Sequence, residues 1–501
     1  MKVILRAGTP DDDNRDYLPE KLKGSDIVVN ENGNNSQPYP ERLQEMHGVL
    51  ADGLTDTWYE YVPQTYDPNK KTPLVIGVHG GLMTGWGHAI YTSWTMVADR
   101  EGLIVVFPDA HSKRMWTVEG MFEGFDPAQA PDLPIQKAPA DIKDNHDVKF
   151  FLALIEQMKQ KYNIDEGRIF MQGMSMGNLM TSQFARYFGN LLAGAAGSGG
   201  PSQPSVLFTE DGVLKNRAGH LAIWQSRPEK NGTPPGKVYD ERVINKYNRF
   251  YWMKLNECDP VPQISILGED NFAFYTGKKA DLVYLDIKNR DHGQTLDEAF
   301  LYWDYLFSGT RREPDGSIVH TKTILPRTGD AFAVAFAKGC GNAWFQNSVM
   351  PTGGTVVRWQ KLKYHGLNGG QKVRGEYLCA PVAFLAKVFG AAMQKQQDGR
   401  CVVVTLPDKR VLQFAQGSIG CMIDDDLRSM ECEALYRDGQ LLVGVEWFCR
   451  ALFNLHVSSC ADVVYITDHF CELSANMADL LQDLLTGQAF PKDFTRIGEE
   501  K

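Results

Sequence analysis

Arg168-Ile169-Phe170-Met171-Gln172-Gly173-Met174-Ser175-Met176-Gly177 is the stretch on which the fold turns. Its first half reads as a strand. Beyond it Leu179, Met180, Gln183, Phe184, Tyr187 and Phe188 repeat with helical period. The G-x-S-x-G pattern therefore stands between a strand and a helix. A serine on such a sharp turn has its Oγ exposed at the top of a parallel sheet, where it can attack a carbonyl. The expectation is a serine hydrolase with Ser175 as nucleophile.

Working outward, Val148, Phe151, Leu152, Ile155, Met158 and Tyr162 share one helical face before the strand. Leu74 to Val78 and Leu103 to Phe107 are short all-apolar runs of the kind buried on both faces of a parallel sheet, and 89–100 between them has helical spacing. Downstream strands are expected at 192–196, 221–225 and 282–287, with a helix over 296–307. This alternation predicts an α/β fold, an open and mostly parallel sheet with helices on both faces. The expected organisation is an irregular arm over 1–55, rich in Asn, Asp, Gly and Pro, then an α/β domain over 56–310. The aperiodic segment 110–146 is read as a wall or lid over a site, and a second excursion, 227–263, with Tyr247, Phe250, Tyr251 and Trp252, as the other wall of a cleft.

Residues 311–324 contain Pro314-Asp315-Gly316 and are expected to be a linker. Over 325–501 the character changes to short strands and many glycines, predicting a smaller α+β domain. Here Gly375 to Gly390 aligns without a gap on Gly439 to Asn454, with Phe384 and Phe389 matching Phe448 and Phe453. Two copies of one unit suggest a two-fold module whose halves bury each other's apolar faces.

Composition narrows the function. A net charge of −10 offers no basic footprint for nucleic acid, and no run reaches the roughly 20 apolar residues of a membrane span. The start, Met1-Lys2-Val3-Ile4-Leu5-Arg6, lacks the pattern of a secretory signal, which places the chain in the cytoplasm. The nine cysteines are odd in number and contain no C-x-x-C, against a zinc site and against a complete disulfide framework. Free, mostly buried thiols are expected. No cofactor is called for.

Acyl transfer by serine needs a base, a group that orients it, and donors for the oxyanion. His79-Gly80-Gly81 follows an early strand, so the backbone N–H groups of Met176 and of Gly81 or Leu82 form the expected oxyanion hole. Of the eleven histidines, His292 alone follows a late apolar strand and precedes a helix, which makes it the expected base. The acid is open. Glu229 is the one acidic residue just after the strand at 221–225, Asp270 is a second candidate, and Asn231 can hold an imidazole without a charge.

The stretches Tyr59-Glu60-Tyr61-Val62-Pro63, 73–81, Asp165-Glu166-Gly167-Arg168-Ile169-Phe170 and the elbow resemble polyhydroxybutyrate depolymerases and related feruloyl and acetyl-xylan esterases, as do Asn256-Glu257-Cys258-Asp259-Pro260 and Asp291-His292-Gly293-Gln294-Thr295. The resemblance covers about 55–310. It implies an α/β-hydrolase that cleaves carboxylic esters, small or polymeric, with Ser175 and His292 in its triad. At the family's acid position this chain has Asn231. Residues 325–470 resemble the copper amine oxidase N-terminal-like domain, a module of bacterial surface proteins, through the paired repeat segments; no copper-ligand cluster stands in it. That resemblance implies a cell-surface or protein partner and an extracellular location, against the missing signal.

Overall fold

The computed structural model describes residues 40–487, apart from 113, 122–133, 231–240, 323 and 366–369. Most of the expected arm, the middle of the 110–146 excursion and Asn231 lie outside the described residues. The chain forms two compact units. One contains the described residues up to Asp259 together with Phe274–Arg327; the other contains Pro260–Ala273 and the described residues from Thr328 onward.

The first unit is an α/β-hydrolase fold. Its strands are β1 (Leu43–Ala51), β2 (Leu54–Tyr61), β3 (Thr72–Val78), β4 (Ile104–Pro108), β5 (Ile164–Met174), β6 (Gly194–Ser198) and β7 (Ala222–Lys230); after β8 (Gln263–Leu267) and β9 (Asp270–Tyr275) comes β10 (Leu282–Asp291). Across the first unit the order is β1-β2-β4-β3-β5-β6-β7-β10. From β4 to β10 every pairing is parallel, while β1 and β2 run antiparallel at the edge. All residues of β3 and β4 are buried, as strands covered on both faces must be. The covering helices are α1 (Gly85–Tyr91), α2 (Trp94–Glu101), α3 (His146–Lys161), α4 (Met176–Phe188), the single turn α5 (Pro204–Leu207), α6 (Glu241–Leu255) and α7 (Glu298–Tyr305).

Three expectations need correction. Leu43–Ala51, expected within an irregular arm, is a strand paired with β2. Asp52 and Gly53 both have positive φ, 49° and 70°, so this Asp-Gly makes the tight hairpin turn that an arm reading overlooks. Second, 311–324 is no free linker. Thr310–Arg312 and Ile318–His320 form a hairpin whose turn is Pro314-Asp315-Gly316. Arg311 Nη1 donates to both Asp165 oxygens at 2.7 Å, and the buried Arg312 donates to Leu192 O at 2.6 Å and His220 O at 2.9 Å. These charge-assisted bonds hold the hairpin against the first unit. Third, the single helix expected over 89–100 is two, broken where Thr92 takes extended backbone angles.

In the second unit, Pro260–Ala273 is joined to the C-terminal residues by hydrogen bonds. Ser265 Oγ donates to Asp330 at 2.7 Å, and Asn271 Nδ2 to Glu472 O at 3.0 Å. Three sheets of five, four and five strands make up the rest, with helices Val382–Val388, Val445–Phe453 and Ala475–Thr486. The internal repeat has a local two-fold. Cys379 pairs with Gly444 and Ala380 with Val443, so that equivalent positions of the two copies exchange partners. Phe389 stacks on Phe453, its own counterpart, with centroids 3.8 Å apart. The halves do bury each other's apolar faces. Eight of the nine cysteines are buried. Among the described residues, no helix is long and apolar enough to cross a membrane.

Candidate active site

Ser175 stands between β5 and α4 with φ 55° and ψ −119°, a strained conformation for a residue with a side chain. Close packing makes that turn possible. A Cβ at Gly173 would strike the Gly177 carbonyl, one at Gly177 the Val78 and His79 carbonyls, and one at Gly200, whose φ is 48°, the Ser175 carbonyl. The Ser175 N–H donates to Ser198 O at 2.8 Å, while Asn178 Nδ2 donates to Gly199 O and, at 3.1 Å, to Gly200 O. The serine side chain is thus fixed and half-exposed.

His292 follows the last residue of β10. Its Nε2 lies 2.7 Å from Ser175 Oγ, the distance at which a serine hydroxyl donates to a neutral imidazole. Two residues 117 apart in sequence are brought together. Ser198, at the end of β6, ties their loops. Its carbonyl holds the Ser175 N–H, and its hydroxyl donates to Gly293 O at 3.0 Å.

Beneath the histidine loop lies a buried carboxyl, Glu298. It accepts from the Thr295 N–H at 2.6 Å and the Tyr302 hydroxyl at 2.7 Å. Burial pushes its pKa from 4.5 up to about 7, against the hydrogen bonds that pull it down. The folded chain therefore keeps a proton that the unfolded chain loses near pH 4.5. Stability contributed by this group falls as pH rises through that window, and by pH 8 the ionised form costs about 3 kcal/mol. Glu298→Gln is expected to remove this slope: between pH 5 and pH 8 the wild-type urea midpoint should fall relative to that of the variant, and parallel pH profiles would show that Glu298 does not titrate there.

On the other side of the loop, Gln172 Oε1 accepts from Trp94 Nε1 at 2.7 Å, and Gln172 Nε2 donates to Gln294 Oε1 at 2.9 Å. Gln294 N donates to Tyr91 Oη at 3.1 Å. β5 and the segment after His292 are thereby cross-braced.

For the oxyanion, the structure separates Gly81 from Leu82. The Leu82 N–H is committed to Arg114 O at 2.9 Å. Among the described residues, the Gly81 N–H has no acceptor and remains available. A Cβ at Gly81 would stand 3.1 Å from Met115 Sδ and 3.5 Å from Met176 Sδ, so the loop passes close to the start of α4. His79 shapes that loop. Its buried Nε2 accepts from the Ala110 N–H at 3.0 Å, so Nδ1 carries the proton and donates to Gly80 O at 2.6 Å. Burial lowers its pKa to about 4 and keeps the ring neutral.

The acid candidates separate. Glu229 lies at the end of β7, beside Lys230, which pairs with Asp291, and its Oε2 accepts the Asn289 N–H at 3.0 Å. Asp270 opens β9 in the other compact unit. Asn231 is outside the described residues.

No family model matches the chain. It is similar to a bifunctional acetylxylan esterase/xylanase from Neocallimastix patriciarum, 29% identical over 142 residues, which are 28% of this chain and 17% of that protein. It is also similar to a poly(3-hydroxyalkanoate) depolymerase C from Paucimonas lemoignei, 26% identical over 153 residues, 30% of this chain and 33% of that one. The chain thus spans a third or less of these relatives. Among solved structures, an acetyl xylan esterase from Aspergillus awamori matches 52% of this chain and 97% of its own at 16% identity, with a TM-score of 0.39.

Several residues around the site escaped the reading of the sequence. Thr295-Leu296-Asp297-Glu298 carries the T-x-x-E spacing with which a glutamate reaches back to a backbone N–H at a helix start, a signal that would have found Glu298. Ser198 has no such mark. Its role follows from where β6 ends.

Proposed function

We propose that this chain is a carboxylic ester hydrolase working through a serine acyl-enzyme, with a small-molecule or polymeric ester as substrate. The observation that carries the reading is the 2.7 Å approach of His292 Nε2 to Ser175 Oγ at a strained elbow. Ser175 Oγ attacks the ester carbonyl as His292 takes its proton. The developing oxyanion is held by the Met176 and Gly81 N–H groups, and His292 returns the proton to the leaving alcohol. Water, activated by the same imidazole, then releases the acid. We assign the orienting acid to Glu229 at the end of β7. Similarity over 142 and 153 residues to a bifunctional acetylxylan esterase/xylanase and a poly(3-hydroxyalkanoate) depolymerase supports ester rather than peptide chemistry.

Hydrolysis of p-nitrophenyl acetate and butyrate by wild type and Ser175→Ala tests the proposal; equal rates would overturn it. Glu229→Gln is expected to lower turnover by up to about 10⁴-fold if Glu229 sets the imidazole tautomer, and an unchanged rate would move that role elsewhere. Asn231 at the acid position of the resembled family favours a second reading, a weakly active or non-catalytic hydrolase fold whose C-terminal repeat unit binds a protein or cell-surface partner. The two-fold repeat supports the likeness of that unit to the copper amine oxidase N-terminal-like module.

A further inference from the structure

Away from Ser175, three potential metal ligands converge where the 110–146 excursion leaves β4 and enters α3. Asp56 is on β2, His111 follows β4 closely, and His146 is the first residue of α3. Their ligand atoms all lie within 4.8 Å of one another. Asp56 Oδ1 is 2.8 Å from His146 Nε2 and 3.7 Å from His111 Nδ1. Two ligands on one tetrahedral zinc, at bonds of about 2.0–2.1 Å, stand about 3.4 Å apart, a spacing that these two distances bracket.

Two further observations point to a ligand. Asp56 is only 2% exposed, yet its Oδ2 is buried with no hydrogen-bond partner, an expensive state for a carboxylate oxygen unless a cation takes it. His146 is also oriented as a ligand would be. Its Nδ1 faces Asp52 Oδ2 at 3.1 Å, leaving Nε2 directed at Asp56, and Asp52 Oδ1 is held by Lys149 Nζ at 2.7 Å. A carboxylate on the far nitrogen is the usual outer support of a metal-bound histidine. The two imidazoles lie with centroids 4.5 Å apart, and a simple ion pair with Asp56 would need only one of them. His111 is one-third exposed, so the site opens to solvent on that side.

We propose that Asp56, His111 and His146 bind one divalent transition metal of the zinc class, with water in the fourth position. Two nitrogen ligands and one carboxylate suit zinc over calcium or magnesium, which prefer all-oxygen shells. The ion fastens both ends of the 110–146 excursion to β2 and so fixes the base of a segment expected to wall the cleft. The absence of a C-x-x-C pair has no bearing on this site, because its ligands are His and Asp from three separate elements.

The test uses the full chain, stripped with a chelator and titrated with zinc chloride by calorimetry, with bound metal measured after gel filtration. Expected are one zinc per wild-type chain, affinity weakened about 10-fold or more in His111→Ala and His146→Ala, and a thermal midpoint raised by zinc in wild type and raised less in the two histidine variants. Ser175→Ala should bind zinc as wild type does, which separates this proposal from the ester-hydrolase reading. If His111→Ala fails to fold by circular dichroism, His111→Gln takes its place. No zinc on wild type, or unchanged affinity in the histidine variants, as binding to the cysteines would give, overturns the proposal.

Discussion

His292→Ala is expected to lower kcat for ester hydrolysis by about 10⁴- to 10⁶-fold while leaving KM within a few-fold. The size follows from what the imidazole does. A serine hydroxyl is a poor nucleophile at neutral pH, and at 2.7 Å His292 Nε2 is the group placed to take its proton as the bond to carbon forms. The same ring must then protonate the leaving alcohol, so its loss affects both halves of the reaction. Ser175→Ala should be equally severe, and the double variant little worse than either, because the two act as a unit. Additive losses in the double variant would mean that His292 and Ser175 act independently.

The second large effect is steric. Gly177→Ala would drive a methyl group into the Val78 and His79 carbonyl oxygens, which belong to the end of β3 and the oxyanion loop. Backbone there cannot turn aside as a side chain can. Helix α4 must move off the sheet, carrying Met176 and Ser175 with it. A loss of about 3 kcal/mol or more in urea unfolding is expected, together with loss of esterase activity. Gly341→Ala is the contrast, since its added Cβ meets nothing within 4 Å, and a change within about 0.5 kcal/mol is expected there. Equal stabilities of the two variants would contradict the account of the elbow.

What was legible in the sequence was governed by local pattern. The apolar runs of β3, β4 and β5 could be read because strands buried on both faces carry no polar alternation, and the elbow could be read because its glycines are required by backbone contacts. β1 escaped because its burial alternates along an edge strand of mixed composition, although Asp52-Gly53 was a hairpin signal in plain view. The placement of Pro260–Ala273 was invisible, since only packing against Asp330 and Glu472 decides to which unit that segment belongs. Ser175 and His292 were singled out from motif and chain order, and the structure brings the two side chains within 2.7 Å of each other. Ser198 and Glu298 act through contacts between distant strands and loops, and the cluster of Asp56, His111 and His146 spans 90 residues between its ends. The acid was ambiguous because the stretch after Gln225 holds both Glu229 and Asn231, either of which can hold an imidazole, and Asn231 lies outside the described residues.

The central claim is that the elbow holds an activated nucleophile. Intact-mass analysis after treatment with a fluorophosphonate probe tests it most directly. One adduct per chain is expected, mapped by peptide sequencing to Ser175 and absent in both Ser175→Ala and His292→Ala. An unmodified wild-type chain, or labelling of Ser175 that persists in His292→Ala, would contradict it.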